Sequence, residues 1–249
     1  MQPDAWQFLQ KYTSARIARG RTGHSLPTSE LLKFQADHAQ ARDAVYSEID
    51  VQQLMDSICN KFDLPIINLK SEVHNRSEYL QRPDLGRTLR QSSREKLTNI
   101  SSSKSDICFV IADGLSAQAV NQNALPVLEK LIPKLTAINY KIAPICIVEQ
   151  GRVAIADEIG LLLKSEIVVI LIGERPGLTS PNSMGVYITF RPYVGMTDES
   201  RNCISNVRPE GMDFQMAMEK IYYLLTEMKI KRISGVNLKD EFEGKGLMN

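Results

Sequence analysis

The amino-acid sequence predicts an α/β fold: a parallel, Rossmann-like sheet flanked by helices, preceded by a mainly helical N-terminal subdomain. Three observations carry this. Ile167-Val-Val-Ile-Leu-Ile172 is an unbroken apolar run rich in β-branched residues, as expected of a parallel-sheet strand buried on both faces. From about residue 105 onward such runs alternate with helical patterns, which implies crossovers and helices on both sheet faces. The first hundred residues follow helical spacing instead. The polar break Ser101-Ser-Ser-Lys-Ser105 separates the two regimes, so 1–100 is expected as a helical N-terminal subdomain and 101–249 as an α/β subdomain.

The elements follow in order. Pro27 and Thr28 open a helix with Leu31, Leu32, Phe34, Ala41, Ala44 and Val45 at apolar positions, after a good start signal. Asp50 caps a second helix through Cys59, with Val51, Leu54, Met55 and Ile58 on one side. Pro65-Ile-Ile-Asn-Leu69 reads as a short strand, Pro83-Asp-Leu-Gly86 as a turn, and Arg87 to Leu97 as a helix. Ile107-Cys-Phe-Val-Ile111 opens the α/β part. Leu115 to Ile138 is helical with interruptions near Pro126 and Pro133, Pro126 opening its second half. Ile145-Cys-Ile-Val148 is a strand, Arg152 to Lys164 a helix, Ile167 to Ile172 a strand and Val186-Tyr-Ile-Thr-Phe190 another. Gly211 to Lys231 is a long helix with Phe214, Met218, Ile221, Leu224, Leu225 and Met228 along one stripe.

Bulk properties exclude several classes. The 249 residues carry 30 Lys+Arg against 29 Asp+Glu, so no basic surface for nucleic acid or anionic membrane is indicated. Four dispersed cysteines without a C-x-x-C pair argue for a reducing compartment and against a zinc or disulfide framework. No apolar run reaches membrane-spanning length, and Met-Gln-Pro-Asp-Ala-Trp6 lacks a secretory pattern. All three histidines, His24, His38 and His74, precede the α/β part, which removes a histidine metal site or Ser-His-Asp triad there. Arg82, Arg87, Arg90 and Arg94, with Asp84 and Glu95 nearby, read as a solvated or subunit-facing surface.

Three strands end in related chemistry: Asp113-Gly114, Glu149-Gln150-Gly151 and Gly173-Glu174-Arg175. Ligands of open α/β sheets bind outside the carboxyl ends of the strands, so these loops are expected to share a site. The dinucleotide G-x-G-x-x-G pattern and the phosphate-loop pattern are both missing. Glu149 alone could hold a ribose hydroxyl, which leaves a stand-alone nucleotide-binding protein as one alternative and a purely structural subunit as another.

Longer motifs narrow this. Glu149-Gln-Gly-Arg-Val-Ala154, Gly173-Glu-Arg-Pro-Gly177, Ser180-Pro-Asn-Ser-Met-Gly-Val-Tyr187, Arg201-Asn-Cys-Ile-Ser-Asn206, Arg208-Pro-Glu-Gly211 and Ser234-Gly-Val-Asn-Leu238 closely resemble the small (light) subunit of ethanolamine ammonia-lyase. So do Ala15-Arg-Ile-Ala-Arg-Gly-Arg-Thr-Gly23, Tyr79-Leu-Gln-Arg-Pro-Asp-Leu-Gly-Arg87 and Ala112-Asp-Gly-Leu-Ser116, and the resemblance runs from about residue 4 to about residue 240. It implies a lyase subunit, inactive alone and with no catalytic residue of its own. The family's holoenzyme uses adenosylcobalamin, a cobalt cofactor, in ethanolamine degradation to acetaldehyde and ammonia. A TIM-barrel large subunit carries substrate and radical chemistry, and the corrin lies between the subunits of a hetero-oligomer, a trimer of dimers of large–small pairs.

By motif, the resemblance assigns cobalamin contacts to Val153, Glu174 and Cys203. Arg175 is a weaker addition that rests only on its place beside Glu174: it reads either as a contact near the cofactor's rim or tail or as a structural ion-pair partner. The D-x-H-x-x-G pattern, whose histidine displaces the nucleotide base beneath cobalt, is missing, and no histidine follows His74; base-on binding is therefore expected. Some family members carry an N-terminal extension linked to packaging in bacterial microcompartments. This sequence enters the family pattern at Asp4-Ala-Trp6, so the cytoplasm is the expected location, with a microcompartment as the alternative.

Overall fold

The structure, a computed structural model, describes residues 4–13, 15–100 and 103–242. Ser101 and Ser102 of the expected boundary, and the first three residues, lie outside that set. The fold is α/β as expected, built on one six-stranded sheet. Its strands are β1 (Ile66–Lys70), β2 (Ser105–Ala112), β3 (Ile145–Glu149), β4 (Ser165–Gly173), β5 (Met184–Phe190) and β6 (Asn202–Val207), in the order β1-β3-β2-β4-β5-β6. The helices are α1 (Thr28–Tyr46), α2 (Val51–Cys59), α3 (Arg76–Gln81), α4 (Gln91–Ile100), α5 (Ala117–Ala137), α6 (Ile155–Leu162) and α7 (Phe214–Lys231).

The sheet is mixed rather than all-parallel. β1, β3, β2 and β4 run parallel, but β5 is antiparallel to β4, and β6 to β5. The reason is legible in the connection. Residues 174–183 join β4 to β5 with no helix, and a parallel return needs a crossover of about a dozen residues or more, usually helical. β6 occupies the polar segment 201–206 in which the sequence shows no strong period. It is an edge strand with a register shift opposite Met184 and Val186, and only Ile204 and Val207 point into the core.

Helices cover the two faces unequally. Leu54 and Ile58 of α2, together with α5 and α7, pack on the face formed by Ile107, Phe109, Ile147, Val169, Leu171, Val186 and Ile204. α4 and α6 pack on the opposite face, against Cys108, Val110, Cys146, Val148, Val168, Ile170 and Ile172. Every residue from Ile167 to Ile172 is at most 5% exposed. At about 1.5–3 kcal/mol for each fully buried aliphatic side chain, this strand is the main apolar anchor of the sheet. α7 continues over β5 and β6 on the first face, whereas on the second face the helical layer ends at α6. That half-roofed edge positions the site.

One helix expectation needs correction. α5 is one continuous helix of 21 residues with Pro126 and Pro133 inside it. Each interior proline costs about 3 kcal/mol, but ten residues of α5 are buried, Val127, Leu128, Leu131, Ile132 and Leu135 among them. Their packing outweighs the lost bonds. α1 forms where expected, yet Ala44 is its only buried residue; Leu31, Leu32 and Phe34 face solvent. Asp50 caps α2 as anticipated, its carboxylate accepting from the Gln53 N–H at 2.9 Å. Among the described residues no helix is long and apolar enough to cross a membrane.

Candidate functional site

β2 leads through α5 to β3 on one face, and β3 leads through α6 to β4 on the other. The strand order reverses direction between β2 and β4, where the crevice of an open α/β sheet is expected. Here that crevice is filled by protein. Gly114 lies at φ +56° with room for no Cβ, which would sit 2.2 Å from the Gly173 carbonyl oxygen. The Leu115 N–H donates to the same oxygen at 2.9 Å.

The three loops do converge, but mostly on one another. Asp113, 1% exposed, accepts from the Gln150 and Gly151 N–H groups, both at 3.0 Å. This ties the end of β2 to the turn after β3. Burial pushes the Asp113 carboxyl up to about 6, although Arg76 and the backbone donors oppose the shift. Glu149 is engaged by Asn68 Nδ2 at 3.1 Å and by Lys70 Nζ at 3.1 Å, so it serves β1 rather than standing ready for a ribose. A polar cleft of about 310 Å³ opens beside it, lined by Lys70, His74, Arg76 and Arg90 among others.

The sequence-assigned residues lie elsewhere, around the half-roofed face. Val153 precedes α6 by two residues and packs, half-buried, against the apolar cluster beneath α6. Tyr187 of β5 packs against the same cluster, and Cys203 of β6 is its direct cross-strand partner. Tyr187 and Cys203 lie close enough to perturb one another's ionisation. Desolvation, reinforced by the Glu174 charge, pushes the Cys203 thiol up against the opposing influence of Tyr187, so Cys203 stays a neutral thiol at neutral pH. Its residue surface remains exposed. Cys203 is thus not an activated nucleophile.

Glu174 is held over the same face. Its Oε2 accepts from Ser183 Oγ at 2.5 Å and from the Asn206 N–H at 3.2 Å, while Oε1 accepts from Ser205 Oγ. A carboxylate has about four acceptor positions, so this one is fixed yet keeps capacity for a further donor. Gly185 makes the arrangement possible: a Cβ there would lie 3.0 Å from Glu174 Oε1 and 3.3 Å from Tyr187 Cε2. Arg175 is exposed and makes no ion pair among the described residues.

A buried ion pair braces this edge. Arg201, immediately before β6, meets Asp157 of α6 through two bonds of 2.5 and 2.6 Å, both side chains being 1% exposed. It fastens the start of β6 to the helix that begins beside Val153.

The structure therefore brings Val153, Glu174 and Cys203 to one side of the sheet and leaves Arg175 at its margin. Sequence reasoning missed Tyr187, Ser183, Ser205 and Gly185 as the residues that shape it. The available signal was period-2 spacing: Gly185 and Tyr187 on one strand, Cys203 and Ser205 on the next.

Comparison with known proteins gives the family. The model described as "Ethanolamine ammonia-lyase light chain (EutC)" matches residues 3–239. The ethanolamine ammonia-lyase small subunit of Azotobacter vinelandii is 52% identical over 241 residues, 96% of this chain and 89% of that protein. That of Pseudomonas syringae pv. tomato is 50% identical over 239 residues, 95% of this chain and 83% of that protein. That of Pseudomonas aeruginosa strain PAO1 is 49% identical over 253 residues, 98% of this chain and 92% of that protein. With matches this long, the chain belongs to the ethanolamine ammonia-lyase light-chain family and is a subunit of an ammonia-lyase.

Proposed function

We propose that this chain is the cofactor-binding, non-catalytic subunit of an adenosylcobalamin-dependent ethanolamine ammonia-lyase, and that the open face of β5 and β6 is its half of the corrin site. The observation that carries the reading is the convergence of Val153, Glu174 and Cys203 on a sheet face that no helix among the described residues covers beyond α6. Adenosylcobalamin, when bound, supplies a cobalt–carbon bond whose homolysis starts the radical chemistry.

The residues suit such a group. Glu174 is immobilised by three donors and can accept from a peripheral amide of the ring. Val153, Tyr187 and the neutral Cys203 offer an apolar surface of modest height against a broad ring face. Gly185 keeps that surface low. Arg175 stands at the margin, suited to a phosphate or an amide oxygen of the nucleotide tail. With no histidine after His74, this part of the chain holds no imidazole to displace the cofactor's own base, which favours base-on binding.

A site open on one side needs a second wall. We assign that wall to a large subunit, a TIM barrel that carries the substrate, in a hetero-oligomer taken as a trimer of dimers of large–small pairs. We keep the division into a mainly helical part, 1–100, and an α/β part, 101–249, with β1, α2 and α4 of the first built into the sheet body, and place the chain in the cytoplasm or a microcompartment.

The test is cobalamin binding by the reconstituted pair, followed by absorbance. Glu174→Gln keeps the shape and one acceptor; Glu174→Ala combined with Val153→Trp removes the acceptor and raises the floor. Affinity is expected to fall about tenfold for the first, one unpaired polar contact being worth about 1–3 kcal/mol, and further for the second, with subunit assembly retained. The small chain alone should show no deamination. Unchanged cobalamin affinity in both variants, or turnover by the lone chain, defeats the assignment.

A further inference from the structure

At the end of the sheet where the parallel strands begin, opposite the loops of Asp113, Glu149 and Glu174, the surface folds into a cleft of about 490 Å³. Small-ligand pockets span about 300–1,000 Å³. Five of the nine residues lining the cleft are cationic: Lys104, Lys141, Lys164, Arg191 and Arg232. They come from five separate segments. Lys104 and Lys164 immediately precede β2 and β4, Lys141 lies ahead of β3, Arg191 follows β5, and Arg232 caps α7.

The local carboxylates do not cancel this charge. Asp106 is engaged by Lys229 Nζ at 2.5 Å and by the Lys141 N–H at 2.8 Å. Glu166 lies 3.9 Å from Arg232. With Lys229 included, six cations stand against these two carboxylates. Lys104, Lys141, Lys164 and Arg191 form no ion pair among the described residues.

Helix ends explain part of the pattern. A cation is favoured at a helix C-terminus, and Lys164 and Arg232 sit at the ends of α6 and α7. Arg191 follows a strand, and Lys104 and Lys141 come four residues after a helix has ended, outside its last turn. Backbone conformation adds a second feature. Lys164, Arg191 and Arg232 have φ of +52°, +47° and +58°, the left-handed region that favours glycine or asparagine. The turns explain that conformation, but they do not explain why each such position in this cleft carries a cation.

The floor supplies neutral donors. Ser105 and Ser165 pair across β2 and β4, with their hydroxyl oxygens 2.6 Å apart. Whichever hydroxyl donates, the other keeps its hydrogen for a further acceptor. Backbone bonds fix the segments that carry the cations: the Arg191 N–H donates to the Glu166 carbonyl at 2.7 Å, and the Asp106 N–H to the Lys141 carbonyl at 2.8 Å.

The lining consists of Lys, Arg, Ser, Asp and Glu alone. It offers no aromatic or apolar platform for a base, a sugar ring or a peptide side chain. The whole chain is near neutrality, with 30 Lys+Arg against 29 Asp+Glu, so it lacks the extended basic face that tracks a nucleic acid. A local, concave excess suits a compact ligand with several negative charges and many acceptor oxygens. Lysine meets phosphate as a point charge and arginine through paired bonds.

We propose that this cleft binds a phosphate chain of the diphosphate or triphosphate kind, free or as the end of a nucleotide. It needs nothing from the corrin face to do so.

The experiment is calorimetric titration of the full small chain with inorganic triphosphate, and separately with ATP, at low and at moderate salt. Lys164→Gly combined with Arg191→Gly removes two charges and relieves two left-handed side chains. Lys104→Gln combined with Lys141→Gln removes two charges at the other side of the cleft. Lys11→Gln combined with Arg21→Gln is the control, removing two exposed cations outside it. Each cleft variant is expected to weaken triphosphate binding at least about tenfold, the scale of one lost charge-assisted hydrogen bond, and the control to leave it unchanged. Thermal unfolding without ligand should stay close to that of the parent, and triphosphate should raise the unfolding temperature of the parent. Affinity should fall as salt rises. Equal affinity for triphosphate and ATP assigns the phosphates alone; tighter ATP with the same response to the cleft variants assigns a nucleotide as their source.

Absence of saturable triphosphate binding at low salt overturns the proposal. So does an equal loss in the control, which would reduce the effect to overall charge. In the pair reconstituted with the large subunit the difference between parent and cleft variants should persist. Its disappearance would make the cleft a subunit contact and would overturn the proposal as well.

Discussion

Removal of the Asp157 carboxylate should be among the most damaging single changes in this chain. Asp157→Asn keeps the side-chain volume but removes the charge that meets Arg201 through bonds of 2.5 and 2.6 Å. The guanidinium is 1% exposed and cannot reach bulk water without lifting β6. Breaking a buried pair by removing one partner typically costs about 3–5 kcal/mol. The low end applies, because Arg201 keeps the Thr189 hydroxyl at 3.3 Å and the Met196 carbonyl at 3.1 Å. Its Nε also lies 3.5 Å from the exposed Asp198. A domain of this length loses about 2–4 °C in Tm per kcal/mol, so about 6–12 °C is expected, with a matching fall in urea midpoint at constant m. Arg201→Met should cost less at acidic pH than at neutral pH, since the abandoned Asp157 can take up a proton. The double variant Asp157→Leu/Arg201→Met should cost less than Asp157→Asn, because it leaves no buried charge unpaired. If Asp157→Asn loses under about 1 kcal/mol, or the double variant loses the full sum of its singles, the ion pair is not the brace described here.

Two further outcomes follow from the same geometry. Gly185→Ala places a Cβ 3.0 Å from Glu174 Oε1; the carboxylate must shift by a few tenths of an ångström, so cobalamin affinity in the reconstituted pair should fall while Tm changes little, and an unaltered affinity would show that Glu174 position is unimportant. Asp113 has its native pKa raised from 3.8 to about 6 by burial, so the folded state holds its proton more tightly than the unfolded state. Its contribution is full below about pH 4 and is lost as pH rises through 6, a swing of about 3 kcal/mol at 1.36 kcal/mol per unit. Urea titrations from pH 4 to 7 should show that slope in the parent and not in Asp113→Asn. Equal slopes would refute it.

Much of the fold was legible because β2, β3 and β4 are buried on both faces. Strands of that kind have continuous apolar sequences, which period and length identify directly. β6 was not legible for the opposite reason. Asn202, Cys203, Ser205 and Asn206 line an edge with one open face, and a register shift interrupts the alternation. The antiparallel direction of β5 could have been read from the helix-free 174–183 connection. α1 was placed correctly, but its exposure was not legible: periodicity says which residues share a face, not whether anything covers that face. At the site, motif resemblance named Val153, Glu174 and Cys203, while the partners that fix them depend on strand pairing that no local pattern encodes.

Under the function proposed above, the division between a closed crevice and an open face would let one α/β scaffold serve as half of a site. A small ligand could be held in the cleft between β2 and β4, but here Gly114 and Gly173 let the two loops pack backbone to backbone and spend their donors on each other. That removes internal mobility at the rim and gives the Glu174 loop a rigid base. The antiparallel extension then carries the chemistry sideways, past the end of α6, onto a face broad enough for a large flat group. A floor of this kind does not enclose its ligand, so affinity must depend on the second wall; a Glu174 held by two serine hydroxyls and a backbone N–H pays its ordering cost during folding rather than on binding.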